Sequence, residues 1–295
     1  MTRKTSADFD PQVLADFDAY VHGALSRRGF LTRIAQYAGG AIAAELILQQ
    51  LSPQFAAAQQ VPDSDARIKV QRHEFPSPEG NSTVKGYLVE PAKAKGKSPL
   101  VLVVHENRGL NPHIEDIARR LALEGFVAFA PDALAPLGGY PGDEDKAREL
   151  FGKLDQTKTR ADFIAAAGAL KMLPQGNGKI GVIGFCYGGG MSNVLATKLP
   201  ELSAAVPFYG PAPNLEDVPA IQAPLLLHFA EKDERVNASW PPYEAALKAN
   251  DKTYTAHTYP GTQHGFNNDT TPRYDEAAAK LAWSRSIAFL REKLA

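Results

Sequence analysis

The stretch that most constrains the fold of this 295-residue chain is a predicted strand, sharp turn and helix centred on its single cysteine. A β-branched run over 180–183 leads directly into Gly184-Phe185-Cys186-Tyr187-Gly188, and an apolar helical pattern follows from Met191. This places a thiol where the serine of a G-x-S-x-G nucleophile elbow would lie. A Cβ at Gly184 or Gly188 would collide with the neighbouring turns. We interpret Cys186 as a nucleophile whose thiolate the helix N-terminus favours, and the alternative is a buried structural cysteine on a glycine-rich turn.

Length and composition limit the classes of protein to which the chain can belong. A chain of this length can form one large α/β domain with an additional segment. The formal net charge is −1 and no basic block is present, so nucleic acid is not an expected partner. One cysteine excludes internal disulfides and cysteine-rich metal sites, and no H-E-x-x-H or G-x-x-x-x-G-K motif occurs. We therefore expect no cofactor, no metal and no stable membrane span.

The first 60 residues differ from the rest and resemble an export signal. A short amphipathic helix is predicted over 10–22, and it is followed by Ser26-Arg27-Arg28-Gly29-Phe30-Leu31, which resembles a twin-arginine motif. A moderately apolar segment over 34–51 follows, and Ala56-Ala57-Ala58 offers a cleavage site before Gln59. These features predict a periplasmic protein.

Two features favour a different interpretation of the same 60 residues. The stretch before the arginine pair is long and acidic, and Glu45 lies inside the apolar segment. The alternative is a retained helical arm on a cytoplasmic protein, packed on the main domain or on a second subunit of a homo-oligomer. In that case the apolar face of Val13, Phe17 and Val21 must pack against something.

Residues 61–295 alternate between strand and helix patterns. Strand-like runs occur at 73–75, 83–90, 100–104, 127–130, 180–183, 204–208, 224–229 and 253–259. Helical patterns occur at 114–124, 159–173 and 275–294, and a loop rich in glycine and proline covers 131–142. This alternation predicts an α/β fold with a mostly parallel central sheet and helices on both faces. Functional groups in such folds lie at the carboxyl ends of the strands.

A thiol nucleophile needs a base, and the base needs an acid that orients it. The order along the chain in this kind of fold is nucleophile, acid, histidine. The strand ending near Phe229 is followed by Glu231, Asp233 and Glu234, of which we favour Asp233 because a short side chain has few rotamers to fix. The strand 253–259 is followed by His264, which we interpret as the base. The remaining histidines receive no functional role: His22, His73, His105, His113, His228 and His257.

The motif Gly184 to Gly189, with Asp233 and His264 at those strand ends, resembles the dienelactone hydrolase family of α/β-hydrolases. The resemblance covers about residues 70–295 and extends to Val103-Val104-His105-Glu106-Asn107-Arg108-Gly109-Leu110-Asn111. It implies that Glu106 contacts the thiol and helps to control its ionisation, and that the backbone N–H groups of Asn107 and Tyr187 form the oxyanion hole. In the family, arginines bind a substrate carboxylate. Arg108 and Arg273 are the candidates here, although they do not map one to one.

Together these observations predict a cofactor-free hydrolase that cleaves a small-molecule carboxylic ester or lactone. Cys186 would attack the carbonyl carbon, His264 would move the proton and Asp233 would fix the imidazole tautomer. The alternatives are a thioesterase or acyltransferase with the same residues, and an exported binding protein that has kept a hydrolase pocket. A carboxylate beside Cys186 would raise the pKa of the thiol, so a largely protonated resting thiol is also expected.

Overall fold

The structure is a computed structural model that describes residues 4–94 and 96–295. Its strands are β1 (Ile68–Ser77), β2 (Ser82–Pro91), β3 (Ser98–Val104), β4 (Val127–Pro131), β5 (Gly176–Phe185), β6 (Ala204–Phe208), β7 (Leu225–Lys232) and β8 (Tyr254–Gln263). Its α-helices are α1 (Pro11–Val21), α2 (Arg27–Ala38), α3 (Ala41–Leu51), α4 (Phe55–Ala58), α5 (Pro112–Leu123), α6 (Glu144–Phe151), α7 (Gln156–Lys171), α8 (Tyr187–Lys198), α9 (Glu234–Asn237), α10 (Trp240–Ala249) and α11 (Glu276–Leu294).

All eight strands form one sheet in the order β1-β2-β4-β3-β5-β6-β7-β8. The pairs β1–β2 and β2–β4 are antiparallel, and every other neighbouring pair is parallel. The predicted α/β fold with a mostly parallel sheet is therefore confirmed. Strand β5 lies between β3 and β6 near the middle of the sheet, so the residue after it is held by pairing on both sides. The carboxyl ends of the parallel strands meet along one edge.

Helices cover both faces of the sheet, as the alternation of elements predicts. One core contains Ile114 and Leu121 of α5 and Leu290 of α11, all with no exposed surface. The opposite core contains Leu195 of α8 and Leu247 of α10, also without exposed surface. Full burial of each such side chain contributes about 1.5–3 kcal/mol. These two layers fix the strand ends that carry the candidate site.

Residues 6–58 form a small helical unit, here named the N-terminal bundle. Helix α1 begins where the Asp10 side chain accepts a hydrogen bond from the Gln12 N–H, so the predicted helix over 10–22 is confirmed. Helices α1, α2 and α3 bury a third apolar core of their own. Its members are Val13, Leu14, Phe17, Tyr20, Phe30, Ile34, Ala44, Leu48 and Leu51. The apolar face of α1 thus packs on the two helices that follow it.

The N-terminal bundle also packs against residues 61–295. Arg148 donates a hydrogen bond to the Tyr20 carbonyl (2.6 Å), and the Tyr20 hydroxyl donates to Asp145. Arg27 forms an ion pair with Asp145 (3.2 Å). This is the packing expected of a retained arm. Export through Arg27 and Arg28 stays a prediction, and the mass of the mature protein from its own cells would distinguish cleavage before Gln59 from retention.

Within the described ranges, no helix combines the length and apolar character that a bilayer-spanning helix requires.

Candidate active site

Cys186 lies between the end of β5 and the start of α8. Its backbone has φ 56° and ψ −113°, a sparsely populated conformation for a residue with a side chain. A Cβ on Gly184 would overlap the Gly188 carbonyl, and a Cβ on Gly188 would overlap the Val104 carbonyl. The glycines are therefore needed for the steric reason that the sequence suggested. This strained turn is the geometry of a nucleophile elbow.

Asp233 and His264 form a buried hydrogen-bonded pair at the neighbouring strand ends. Asp233 follows β7, His264 follows β8, and Asp233 Oδ2 lies 2.5 Å from His264 Nδ1. The competing candidate Glu231 is exposed and accepts a hydrogen bond from the Gly261 N–H instead (2.8 Å). Because Nδ1 faces the carboxylate, Nε2 is the ring nitrogen left for chemistry. His264 Nε2 is buried and has no hydrogen-bond partner in the described structure.

A second histidine lies beside the thiol and comes from the N-terminal bundle. His22 Nε2 is 3.5 Å from Cys186 Sγ, and the ring stands edge-on to that of His264 with centroids 4.7 Å apart. Asp18 Oδ1 lies 3.2 Å from His22 Nδ1. The sequence assigned His22 no role and no partner, whereas the structure places its ring beside the thiol. Cys186 faces two imidazoles, each of which has a carboxylate on its other nitrogen.

These contacts set the direction of the pKa shifts. Burial acts to raise the pKa of the Cys186 thiol, but the charge of His264 and the hydrogen-bonded imidazole of His22 lower it overall. Burial acts to lower the pKa of His264, but Cys186 and Asp233 raise it overall. These directions favour the thiolate–imidazolium form of the pair. The expectation of a largely protonated resting thiol stays a prediction, and the two imidazoles act against it.

The Glu106 side chain hydrogen-bonds to the loop after β8. Its Oε2 accepts a hydrogen bond from Asn268 Nδ2 (2.8 Å), and the Asn268 Oδ1 accepts from the Thr270 hydroxyl (2.6 Å). The groups that dominate the pKa of the thiol are the two imidazoles and burial. Control of thiol ionisation by Glu106 stays a prediction.

The proposed oxyanion donors, the N–H groups of Asn107 and Tyr187, follow two neighbouring strands of the sheet, β3 and β5. Tyr187 is the first residue of α8, so its N–H has no acceptor within that helix. Asn107 follows β3, and its side chain donates a hydrogen bond to the Val21 carbonyl of the N-terminal bundle (3.0 Å). The oxyanion role of the two backbone N–H groups stays a prediction. It is supported by the pairing of β3 with β5, because the residues that follow two neighbouring parallel strands lie at the same edge of the sheet.

Both arginines proposed to bind substrate contact helix α1. Arg108 donates to the Val21 carbonyl (3.2 Å), and Arg273 donates to Asp18 Oδ1 (3.1 Å). Both guanidinium groups are buried, and the cavity beside them has a volume of about 60 Å³. Substrate binding by Arg108 and Arg273 stays a prediction, since both guanidinium groups are engaged by α1 in this structure.

The fold and the site together identify the class of protein. An elbow cysteine after the central strand, an acid after β7 and a histidine after β8 define an α/β-hydrolase. The family model of the dienelactone hydrolase family matches residues 84–294, and the chain belongs to this family. A second model, described as YqhI-like, matches residues 1–39.

Individual relatives agree with this assignment. An Escherichia coli protein named "Putative hydrolase fragment YghX" is 55% identical over 107 residues, which is 36% of this chain and 92% of that protein. A Saccharolobus solfataricus protein named "Putative carboxymethylenebutenolidase" is 31% identical over 70% of this chain and 93% of its own length. The crystal structure titled "Putative Dienelactone Hydrolase" from Klebsiella pneumoniae superposes with a TM-score of 0.67 at 29% identity. It covers 76% of this chain and 99% of the Klebsiella chain.

Proposed function

We propose that this hydrolase cleaves small carboxylic esters or lactones through a covalent acyl-thioester on Cys186. The observation that carries the proposal is the strained elbow at Cys186 facing the buried His264–Asp233 pair. The family model and the relatives named "Putative carboxymethylenebutenolidase" support hydrolysis of an ester or lactone bond.

The proposed reaction has two halves. The Cys186 thiolate attacks the carbonyl carbon and forms a C–S bond, while the N–H groups of Asn107 and Tyr187 stabilise the negative oxygen. The C–O bond to the leaving alcohol then breaks, and His264 gives that oxygen its proton. Water attacks the thioester, His264 takes a proton from the water, and release of the acid restores the thiolate. In a lactone the leaving alcohol stays attached to the acyl group. Asp233 holds the imidazole in the required tautomer throughout.

The end of helix α1 covers the thiol in this structure, so the proposal requires that a substrate displace it. His22 lies against the sulfur, and the Val21 carbonyl is bound by Asn107 and Arg108, where a substrate would approach. We infer that substrate binding displaces this end of α1. The contacts to be broken include the hydrogen bonds to the Val21 carbonyl and the Arg273–Asp18 ion pair. A neutral hydrogen bond contributes about 0.5–1.5 kcal/mol and one to a charged group about 1.5–3 kcal/mol.

The test is capture of the acyl-enzyme. Full-length protein is mixed separately with each member of a panel of activated esters, lactones and thioesters. Each reaction is quenched in acid, and the mass of the intact protein is measured by mass spectrometry. We expect the mass to rise by the acyl group for turned-over substrates, with the adduct on the peptide containing Cys186. Turnover without any adduct on Cys186 would contradict the covalent proposal. Preference for thioesters over oxygen esters would favour the thioesterase alternative.

We expect Glu106→Gln to change the alkylation rate of Cys186 by less than about twofold at neutral pH, because the two imidazoles dominate thiolate formation. The measurement is the rate of iodoacetamide labelling, compared with the parent protein. Glu234→Gln is the matched control, since it removes an exposed carboxylate at the same sheet edge. A several-fold change in Glu106→Gln alone would establish Glu106 as a regulator of the thiol, as the family resemblance implies.

A further inference from the structure

Three atoms able to bind a metal ion converge at one point, although they come from distant parts of the chain. They are His22 Nε2, Cys186 Sγ and His264 Nε2, and all lie within 4.8 Å of one another. His22 belongs to the N-terminal bundle, whereas Cys186 and His264 belong to the hydrolase fold. The sequence shows no such cluster because His22 and Cys186 are 164 residues apart.

We propose that these three side chains form a binding site for a thiophilic divalent cation such as Zn²⁺, which ties the N-terminal bundle to the hydrolase fold over the nucleophile. A thiolate and two imidazoles are a characteristic zinc donor set, and three protein ligands leave the fourth position for water. The ion is an inhibitor in this proposal and takes no part in hydrolysis.

The distances suit a tetrahedral ion. With Zn–S near 2.3 Å and Zn–N near 2.0 Å, two ligand atoms in such a site are about 3.5 Å apart. His22 Nε2 and Cys186 Sγ are separated by 3.5 Å. The third atom lies within the 4.8 Å limit of the cluster, so a small rotation of a ring completes the site.

Both imidazoles are oriented as metal-binding histidines are. His264 Nδ1 faces Asp233 Oδ2 at 2.5 Å, and His22 Nδ1 faces the Asp18 carbonyl oxygen at 2.9 Å and Asp18 Oδ1 at 3.2 Å. Such partners on Nδ1 fix the orientation of each ring and point Nε2 at the ion, which binds with release of any proton on Nε2. His264 is 4% exposed and its Nε2 has no hydrogen-bond partner among the described residues. A buried nitrogen without a partner is the atom that a bound cation would satisfy.

One cation competes for the same place. Arg235 Nη2 lies 3.1 Å from His22 Nε2, and a metal ion bound there would displace it. Arg235 is exposed, so its guanidinium can turn into solvent. Asp18 and Asp233 supply negative charge beside the site and offset the charge of the ion. The arginine therefore weakens metal binding without preventing it.

The test uses full-length protein that has been reduced and stripped with a chelator, then titrated with Co²⁺ as a spectroscopic substitute for Zn²⁺. We expect one equivalent of Co²⁺ to produce a thiolate-to-cobalt charge-transfer band in the near ultraviolet, and Zn²⁺ to remove that band by competition. Added Zn²⁺ should stop ester hydrolysis, and excess EDTA should restore it.

Four variants distinguish a three-ligand site from Zn²⁺ binding to the Cys186 thiol alone. His22→Gln should weaken Zn²⁺ binding by about 100-fold or more, which exceeds the ~10–100-fold loss typical of an outer-shell partner. Asp18→Asn removes such a partner and should cost about 10-fold. Arg235→Gln should strengthen binding. His73→Gln is the matched control, since β1 lies at the far edge of the sheet, and it should change nothing.

Two results would overturn the site: no cobalt band in folded parent protein, or an unchanged band and Zn²⁺ affinity in His22→Gln. Circular dichroism of each variant shows whether the fold is kept, and Arg235→Gln provides a gain of affinity that misfolding cannot produce. The cobalt band does not depend on turnover. A protein that shows the band but forms no acyl-enzyme would contradict the proposed function and leave the metal site standing.

Discussion

Replacing Cys186 with alanine should lower ester hydrolysis by about 10⁴-fold or more while leaving the fold intact. The expected loss is large because the residues of a catalytic triad act as a unit, so removal of the nucleophile removes the covalent route. The fold should survive because the change deletes one sulfur atom and keeps the Cβ at the elbow. The measurements are the initial rate with an activated ester and the midpoint of thermal unfolding.

Cys186→Ser is the informative companion to the alanine variant. Serine fits the elbow, but its hydroxyl has a far higher pKa than the thiol, and the two imidazoles that hold the thiolate cannot ionise it to the same extent. We therefore expect little activity from serine. Hydrolysis near the parent rate in Cys186→Ala would end the proposal that Cys186 forms the covalent intermediate.

Asp233→Asn should lower kcat by about 10³–10⁴-fold with little loss of stability. Asp233 has two roles: its Oδ1 accepts a hydrogen bond from the Val236 N–H at the start of α9, and its Oδ2 faces His264 Nδ1. Asparagine can still accept the bond from Val236, since it is a good helix-capping residue. Its NH₂ group cannot accept a proton from Nδ1, so the tautomer needed for catalysis is lost.

The control for this variant is Glu231→Gln, at the end of β7. Glu231 is exposed and bonds the Gly261 N–H, so its replacement removes a carboxylate from the same edge without touching His264. We expect kcat of this control to stay within about twofold of the parent, as for other surface substitutions. Equal losses in the two variants would show that Asp233 is no more than one of several charges near the site.

The central elements of the site could be predicted because they depend on local sequence. The β-branched run, the glycines and Cys186 fix a strand–turn–helix unit within about a dozen residues. Asp233 and His264 follow from strand order, because parallel strands end at one edge. The bounds of the predicted strands shifted by up to five residues; β1, for instance, begins at Ile68 rather than at 73.

What could not be predicted depends on packing between distant segments. The Asp18–Arg273 contact spans 255 residues and the His22–Arg235 contact spans 213. No local pattern specifies which surface a helix such as α1 will cover, because its apolar face is used within the N-terminal bundle. Helix α6 was also not predicted. It is only eight residues long and follows a loop rich in glycine and proline.

Because the N-terminal bundle has its own apolar core, it can fold as a unit before it docks on the hydrolase fold. The bundle is synthesised well before two of the residues on which it docks, His264 and Arg273. Contacts of such sequence separation form late and slowly. The nucleophile should therefore be folded before it is covered. Since the bundle has its own core and is joined to the rest mainly by polar and ring contacts, it should also be the first cooperative unit to detach. Its amide protons should then exchange well before those of the strands beneath it.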